Sequence, residues 1–169
     1  MTRVFFPRLP ALIAVCALAV FFIFSADAHG APSPFSATHA RPVPGAVMRP
    51  ADIPEQNWIA GHRGVDLAAR PGQAIHASRG GVVYFAGVVA GTPVVSVMHP
   101  DGLRTTYEPV RAGVAAGQRV RRGQTLGWLV DAEHTTRASQ GLSWGAKVGK
   151  DTYIDPLTLL GEPTIVLKR

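Results

Sequence analysis

His62 and Asp66 stand four residues apart in Gly61-His62-Arg63-Gly64-Val65-Asp66-Leu67-Ala68-Ala69-Arg70-Pro71-Gly72. Imidazole nitrogen and carboxylate oxygen both suit a borderline-soft ion such as zinc. In an extended segment, side chains alternate with period two, so positions 62 and 66 project from one face. Gly64 between them removes a side chain where a metal or substrate would need close approach. Two ligands do not make a catalytic zinc site, which keeps three protein ligands and an open position. On this pair alone, a surface histidine beside a turn carboxylate explains the stretch equally well.

The elements that must hold the pair are short strands separated by turn signals. The candidates are Ala74 to Ala77, Gly81 to Ala86, Val94 to His99 and Leu103 to Tyr107, the last two joined by the turn Pro100-Asp101-Gly102. Two similar phrases follow, Gly113 to Gln118 and Arg119 to Gln124, alternating valine and glycine at short spacing, and then Leu126-Gly127-Trp128-Leu129. Leu142 to Val148 is a late core strand, and Asp155-Pro156-Leu157 opens a closing turn. No segment carries the apolar period of an amphipathic helix. The expected fold is all-β, an antiparallel β-sandwich or flattened barrel.

The chain has 169 residues, room for one ordinary domain after a targeting segment. Arg3 and Arg8 precede an unbroken apolar run from Ala11 to Phe24, followed by Ser25-Ala26-Asp27-Ala28. That is the plan of a signal peptide (residues 1–28) with cleavage after Ala28, and it predicts a secreted or cell-envelope protein. The run is short for a span of about 20 residues, so an uncleaved segment would be the one route to a membrane. Cys16, the only cysteine, lies inside this run, which leaves the mature chain without disulfide or thiolate chemistry. Residues 29–57 are Pro/Ala-rich and read as a linker, with Trp58 expected to dock on the domain beyond it. The folded domain is expected over 58–162 and a tail over 163–169. Removing the signal leaves 15 basic and 10 acidic side chains. No basic block with interleaved aromatics appears, so the charge suits an anionic polymer such as the cell wall and predicts no nucleic-acid partner.

Five phrases then occur in one order: Gly61-His62-x-Gly64-x-Asp66; Pro71-Gly72-x-x-Ile75-x-Ala77; Gly80-Gly81-Val82-Val83; His99-x-Asp101-Gly102; and Val114-x-x-Gly117-x-x-Val120-x-x-Gly123-Gln124-x-x-Gly127. The ordered set, from about Gly61 to about Leu160, resembles the lysostaphin/LytM-type zinc endopeptidases, which cut peptide cross-links in bacterial peptidoglycan. Trp144-Gly145 and Tyr153-x-Asp155-Pro156-Leu157 resemble the end of the domain in actinobacterial members. The resemblance implies that His62 and Asp66 match two zinc ligands. It places the third ligand at the second histidine of a His-x-His motif on the late core strand, whose first histidine assists catalysis.

Here that phrase is Gly141-Leu142-Ser143, so Gly141 stands at the catalytic position and Ser143 at the ligand position. Glu108 occupies a place where the family often carries a histidine. A neutral hydroxyl is a poor zinc ligand, and loosely held zinc does not bring its water to a usable pKa. Missing histidines at 108 and 141 also remove proton handling and charge stabilisation. Glu108 is a weak candidate base and is otherwise a solvated strand-end carboxylate. His134, in the polar stretch from Asp131 to Gln140, is a speculative replacement ligand. His76 and His99 read as ordinary structural histidines, and Arg137 and Lys147 as solvated charges within reach of wall carboxylates.

The expectation is a degenerate family member with a vestigial site and zinc, if any, held weakly. It would bind peptidoglycan or regulate a partner hydrolase of the cell wall. Two alternatives remain open from the residues. One is an active zinc metalloendopeptidase, opposed by Ser143. The other is a biotinyl/lipoyl-like carrier domain, suggested by the valine-glycine rhythm and opposed by the lack of a lysine at a hairpin tip.

Overall fold

The structure is a computed structural model, described here for residues 39–131 and 141–161 together with Met1. The apolar run and cleavage site expected near the N-terminus, His134, Arg137 and the tail expected over 163–169 lie outside these residues. The described chain forms eleven strands and no α-helix. They are β1 (Val47–Arg49), β2 (Gly64–Leu67), β3 (Ala74–His76), β4 (Gly81–Val89), β5 (Thr92–Met98), β6 (Leu103–Glu108), β7 (Val110–Ala112), β8 (Arg119–Val120), β9 (Thr125–Leu129), β10 (Leu142–Val148) and β11 (Thr152–Ile154), closed by a 3-10 turn over Pro156–Leu160. One sheet has eight strands in the order β1-β2-β10-β6-β5-β4-β8, with β11 also paired to β10. A second sheet has three, in the order β3-β9-β7. All pairings are antiparallel, as the all-β expectation requires.

Alternation along the central strands separates core from groove. In β10, Leu142, Trp144 and Ala146 are buried, and on β6 Leu103, Thr105 and Tyr107 are. Trp144 and Tyr107, opposite each other in register, are both fully buried. The intervening positions, Ser143, Gly145 and Lys147 on β10 and Arg104, Thr106 and Glu108 on β6, line a groove on the other face.

Turn chemistry repeats three times and sets the short loops. Arg70-Pro71-Gly72-Gln73, Ala115-Ala116-Gly117-Gln118 and Arg121-Arg122-Gly123-Gln124 each place glycine at a positive φ of 79 to 84°. In each, the glutamine Oε1 accepts from the backbone N–H three residues earlier, at 3.0, 3.1 and 3.0 Å. The two similar valine-glycine phrases are thus one turn used twice, at positions where a side chain would be strained.

A buried polar chain crosses the core. The His99 Nδ1 lies 3.0 Å from the Gly80 carbonyl, which can only accept, so Nδ1 donates and Nε2 accepts from the Thr105 hydroxyl at 2.8 Å. Thr105 therefore accepts from the Tyr107 hydroxyl (2.8 Å), and Tyr107 accepts from the Ser78 amide (3.0 Å) and hydroxyl (2.8 Å). Ser78 in turn accepts from His39 Nδ1 at 3.0 Å. The His39 and His99 rings also meet edge to face, with centroids 4.8 Å apart. Burial holds both histidines below their usual pKa, His39 to about 4.

Two expectations are corrected. The linker expected over 29–57 is part of the fold from His39 onward: Val43 is 1% exposed in the core, and Val47 and Arg49 pair with Leu67 and Asp66. Proline and alanine hide this, because the segment binds through single anchors and an edge strand, without a periodic pattern. Trp58, expected to dock, is 83% exposed. Its loop is held through backbone groups instead: Arg63 donates to the carbonyls of Asn57 and Ile59, and Asn57 to that of Asp151.

Candidate functional site

The groove over the eight-stranded sheet encloses about 600 Å³. That is within the range of pockets that hold a small ligand or short peptide. His62 and Asp66 stand at one end, on the same face as expected for an i,i+4 pair in extended chain, with His62 Nε2 3.3 Å from Asp66 Oδ1. Asp66 is fully buried, and an isolated bridge to Asp52 fixes the backbone of His62. Gly64, between them, is required by the fold: a side chain there would come within 2.6 Å of the Trp144 carbonyl on β10. The close approach it permits is by a neighbouring strand, and Gly64 also lines the groove.

Strand register brings Ser143 opposite Asp66 on one side and opposite Glu108 on the other. Ser143 is 8% exposed and lines the groove beside His62 and Glu108. Glu108 ends β6 and is half-buried on the groove face, so it is not the freely solvated carboxylate expected. Gly141 is not brought to this site. It precedes β10 with φ of 83°, and a Cβ there would collide with the Leu67 carbonyl oxygen. It faces a separate depression with Met48, Ala68 and Gln73. A histidine therefore cannot be accommodated at 141 without moving the backbone.

The other histidines are elsewhere. His99 is spent on the buried polar chain, and His76 Nδ1 lies 3.5 Å from the Thr125 hydroxyl on the β3–β9 pair. Among the described residues, no group of three His, Cys, Asp or Glu side chains is close enough to hold a metal ion. His62 and Asp66 supply two donors, and the third strand contributes a hydroxyl. This donor set does not fit a tightly held catalytic zinc.

Sequence reasoning named Lys147 as a charge within reach of wall carboxylates but missed Arg104 and the tyrosine rings beside the two cations. Arg104 on β6 lies 4.8 Å from the Tyr84 ring centroid, and Lys147 on β10 lies 5.5 Å from that of Tyr153, which Arg63 also approaches at 5.7 Å. The alternation of Leu103 to Glu108 was the available signal, since it places Arg104 and Glu108 on one face.

Comparison with known proteins agrees with the geometry. The model of Peptidase family M23 matches residues 60–156, more than half of the chain. An uncharacterized protein of Mycobacterium tuberculosis is 49% identical over 131 residues, covering 76% of this chain and 52% of the relative. The chain thus spans about half the length of the curated relatives it matches. Among solved structures, a putative peptidase M23 from Pseudomonas aeruginosa superposes with a TM-score of 0.55 at 27% identity, covering 78% of this chain and 53% of that one. The catalytic domain of the antimicrobial peptidase lysostaphin from Staphylococcus simulans gives 0.56 at 24% identity, covering 70% and 91%, and shares the fold.

Proposed function

The chain belongs to Peptidase family M23, and from that premise we propose that it is an exported member that binds peptidoglycan, or presents it to a partner hydrolase, without cleaving it. The observation that carries this is Ser143, in register between Asp66 and Glu108, where a third metal ligand would have to stand. The family is zinc-dependent, and its chemistry needs a tightly held ion to make water a nucleophile near neutral pH. His62 and Asp66 alone would hold zinc too loosely for that step.

Support for wall binding comes from three features together. The β-scaffold is complete, the groove is open, and the charge balance is positive, at +6 for the whole chain. Support for export is the basic start, the apolar run Ala11 to Phe24 and the small residues around Ala28. The test is sedimentation of the purified chain with isolated cell walls. The chain should pellet with the walls while the supernatant stays free of soluble muropeptides. A chain that remains in solution in the presence of walls would overturn the binding reading.

A further inference from the structure

Lys147 and Arg104 stand directly opposite one another across the β10–β6 pair, in the groove. Like charges in this relation destabilise a sheet, and an anion bound between them would offset that cost. The described ion pairs, His62–Asp66 and Arg79–Asp101, involve neither of them. The Arg104 Nε is buried and has no hydrogen-bond partner among the described residues. Lys147 gives one hydrogen bond, to the Lys150 carbonyl at 2.5 Å, of the three its ammonium can donate. Each cation lies near a ring of a different strand, Arg104 4.8 Å from the Tyr84 centroid on β4 and Lys147 5.5 Å from that of Tyr153 on β11.

We propose that Arg104 and Lys147 form a carboxylate subsite that receives the free carboxylate of an extended peptide lying along β10. The groove has a polarity that suits such a ligand. Ser143 and Lys147 are four residues apart on one strand, so the acidic end at Asp66 and Glu108 lies about 13 Å from the basic end. A peptide of about four residues spans that length. Val89, Val94 and the two tyrosine rings line the groove beside the charges, giving alkyl side chains apolar surface to cover. A bare inorganic anion has no use for that surface. Guanidinium and ammonium groups together also match a carboxylate through charge-assisted hydrogen bonds.

This inference deepens the wall-binding reading, on which it rests for the source of the peptide. It separates wall peptides with free carboxylates from neutral bridges, and predicts preference for the former.

The test uses the purified full chain in calorimetric titrations with N-acetylated tetraalanine bearing a free C-terminal carboxylate, with its C-terminal amide, and with inorganic phosphate. The carboxylate peptide should bind about tenfold or more tighter than the amide, and the preference should shrink with added salt. Arg104→Gln and Lys147→Gln should each abolish the preference. Neither should lower the thermal midpoint, because each relieves the like-charge pair; a purely structural role would lower it. The subsite is overturned if amide and carboxylate bind alike, if phosphate binds as tightly as the carboxylate peptide, or if the variants keep the preference. A chain that pellets with cell walls yet shows no carboxylate preference loses the subsite and keeps wall binding. One that shows the preference but does not pellet keeps the subsite and loses wall binding.

Discussion

Ser143 lies opposite Asp66 across the β2–β10 pair, so a hydroxyl faces the buried carboxylate where metal chemistry would require a third strong ligand. The His62–Asp66 contact at 3.3 Å shows that the first two ligand positions keep their relation without it. Both positions are held by backbone strand pairing, so a fold that stands without the ion is expected.

That independence predicts low zinc retention. After exposure to excess zinc and desalting, elemental analysis should find well under one zinc per chain. A chelator should leave the thermal midpoint unchanged, because a ligand stabilises only in proportion to its occupancy of the folded state. Stoichiometric zinc, with a large fall in midpoint on chelation, would mean that a ligand outside the described residues, such as His134, completes the site.

Restoration should succeed at one position and fail at the other. Ser143→His adds a third ligand in a groove with room for it and should raise zinc retention toward one per chain. Gly141→His should destabilise the fold by about 2 kcal/mol or more, from the left-handed conformation and the collision with the Leu67 carbonyl. Chemical denaturation of the two variants checks both; a neutral Gly141→His would contradict the geometry at the start of β10.

Stability should fall on the acid side of neutrality. The folded state holds His39 neutral down to about pH 4, against an ordinary value of 6.5, because it is buried beside His99 and near Arg79. The unfolded chain takes up that proton first, so the stability from neutral His39 is complete above about pH 6.5 and is lost progressively as pH falls toward 4. For His39 the loss is on the order of 3 kcal/mol across that window, and His99 acts in the same direction. Midpoints measured from pH 8 to 4 should decline, and His39→Gln should flatten the decline. A midpoint that holds or rises toward pH 4.5 would contradict the buried neutral pair.

The segment before β2 should prove part of the domain. Val43 is 1% exposed, and Val43→Ala should cost about 1–3 kcal/mol. A linker residue would show no effect in the same denaturation experiment.

How legible these features were in the sequence depended on whether they repeat. Short runs bounded by turn signals, Val94 to His99, Leu103 to Tyr107 and Leu142 to Val148, announced the central strands, and Leu142–Val148 appears with those bounds. Glycine-glutamine turns were legible as punctuation, though the side-chain caps that make them alike were not. His62 and Asp66 were legible as a pair because extended chain puts positions four apart on one face. The role of His39 was hidden, since a single histidine reaching Ser78 across 39 residues leaves no local pattern. Gly141 was matched to the site by resemblance, and its positive φ ahead of β10, where it lines a separate depression, left no mark in the sequence. The Arg104–Lys147 pair needed register, which pairs residues 43 positions apart.

The most direct test of the central claim is release of soluble muropeptides from isolated cell walls by the unmodified chain, with and without added zinc. The degenerate site predicts no release above a protein-free control under either condition. Zinc-dependent release by the unmodified chain, abolished by His62→Ala, would contradict it and make the chain a working endopeptidase.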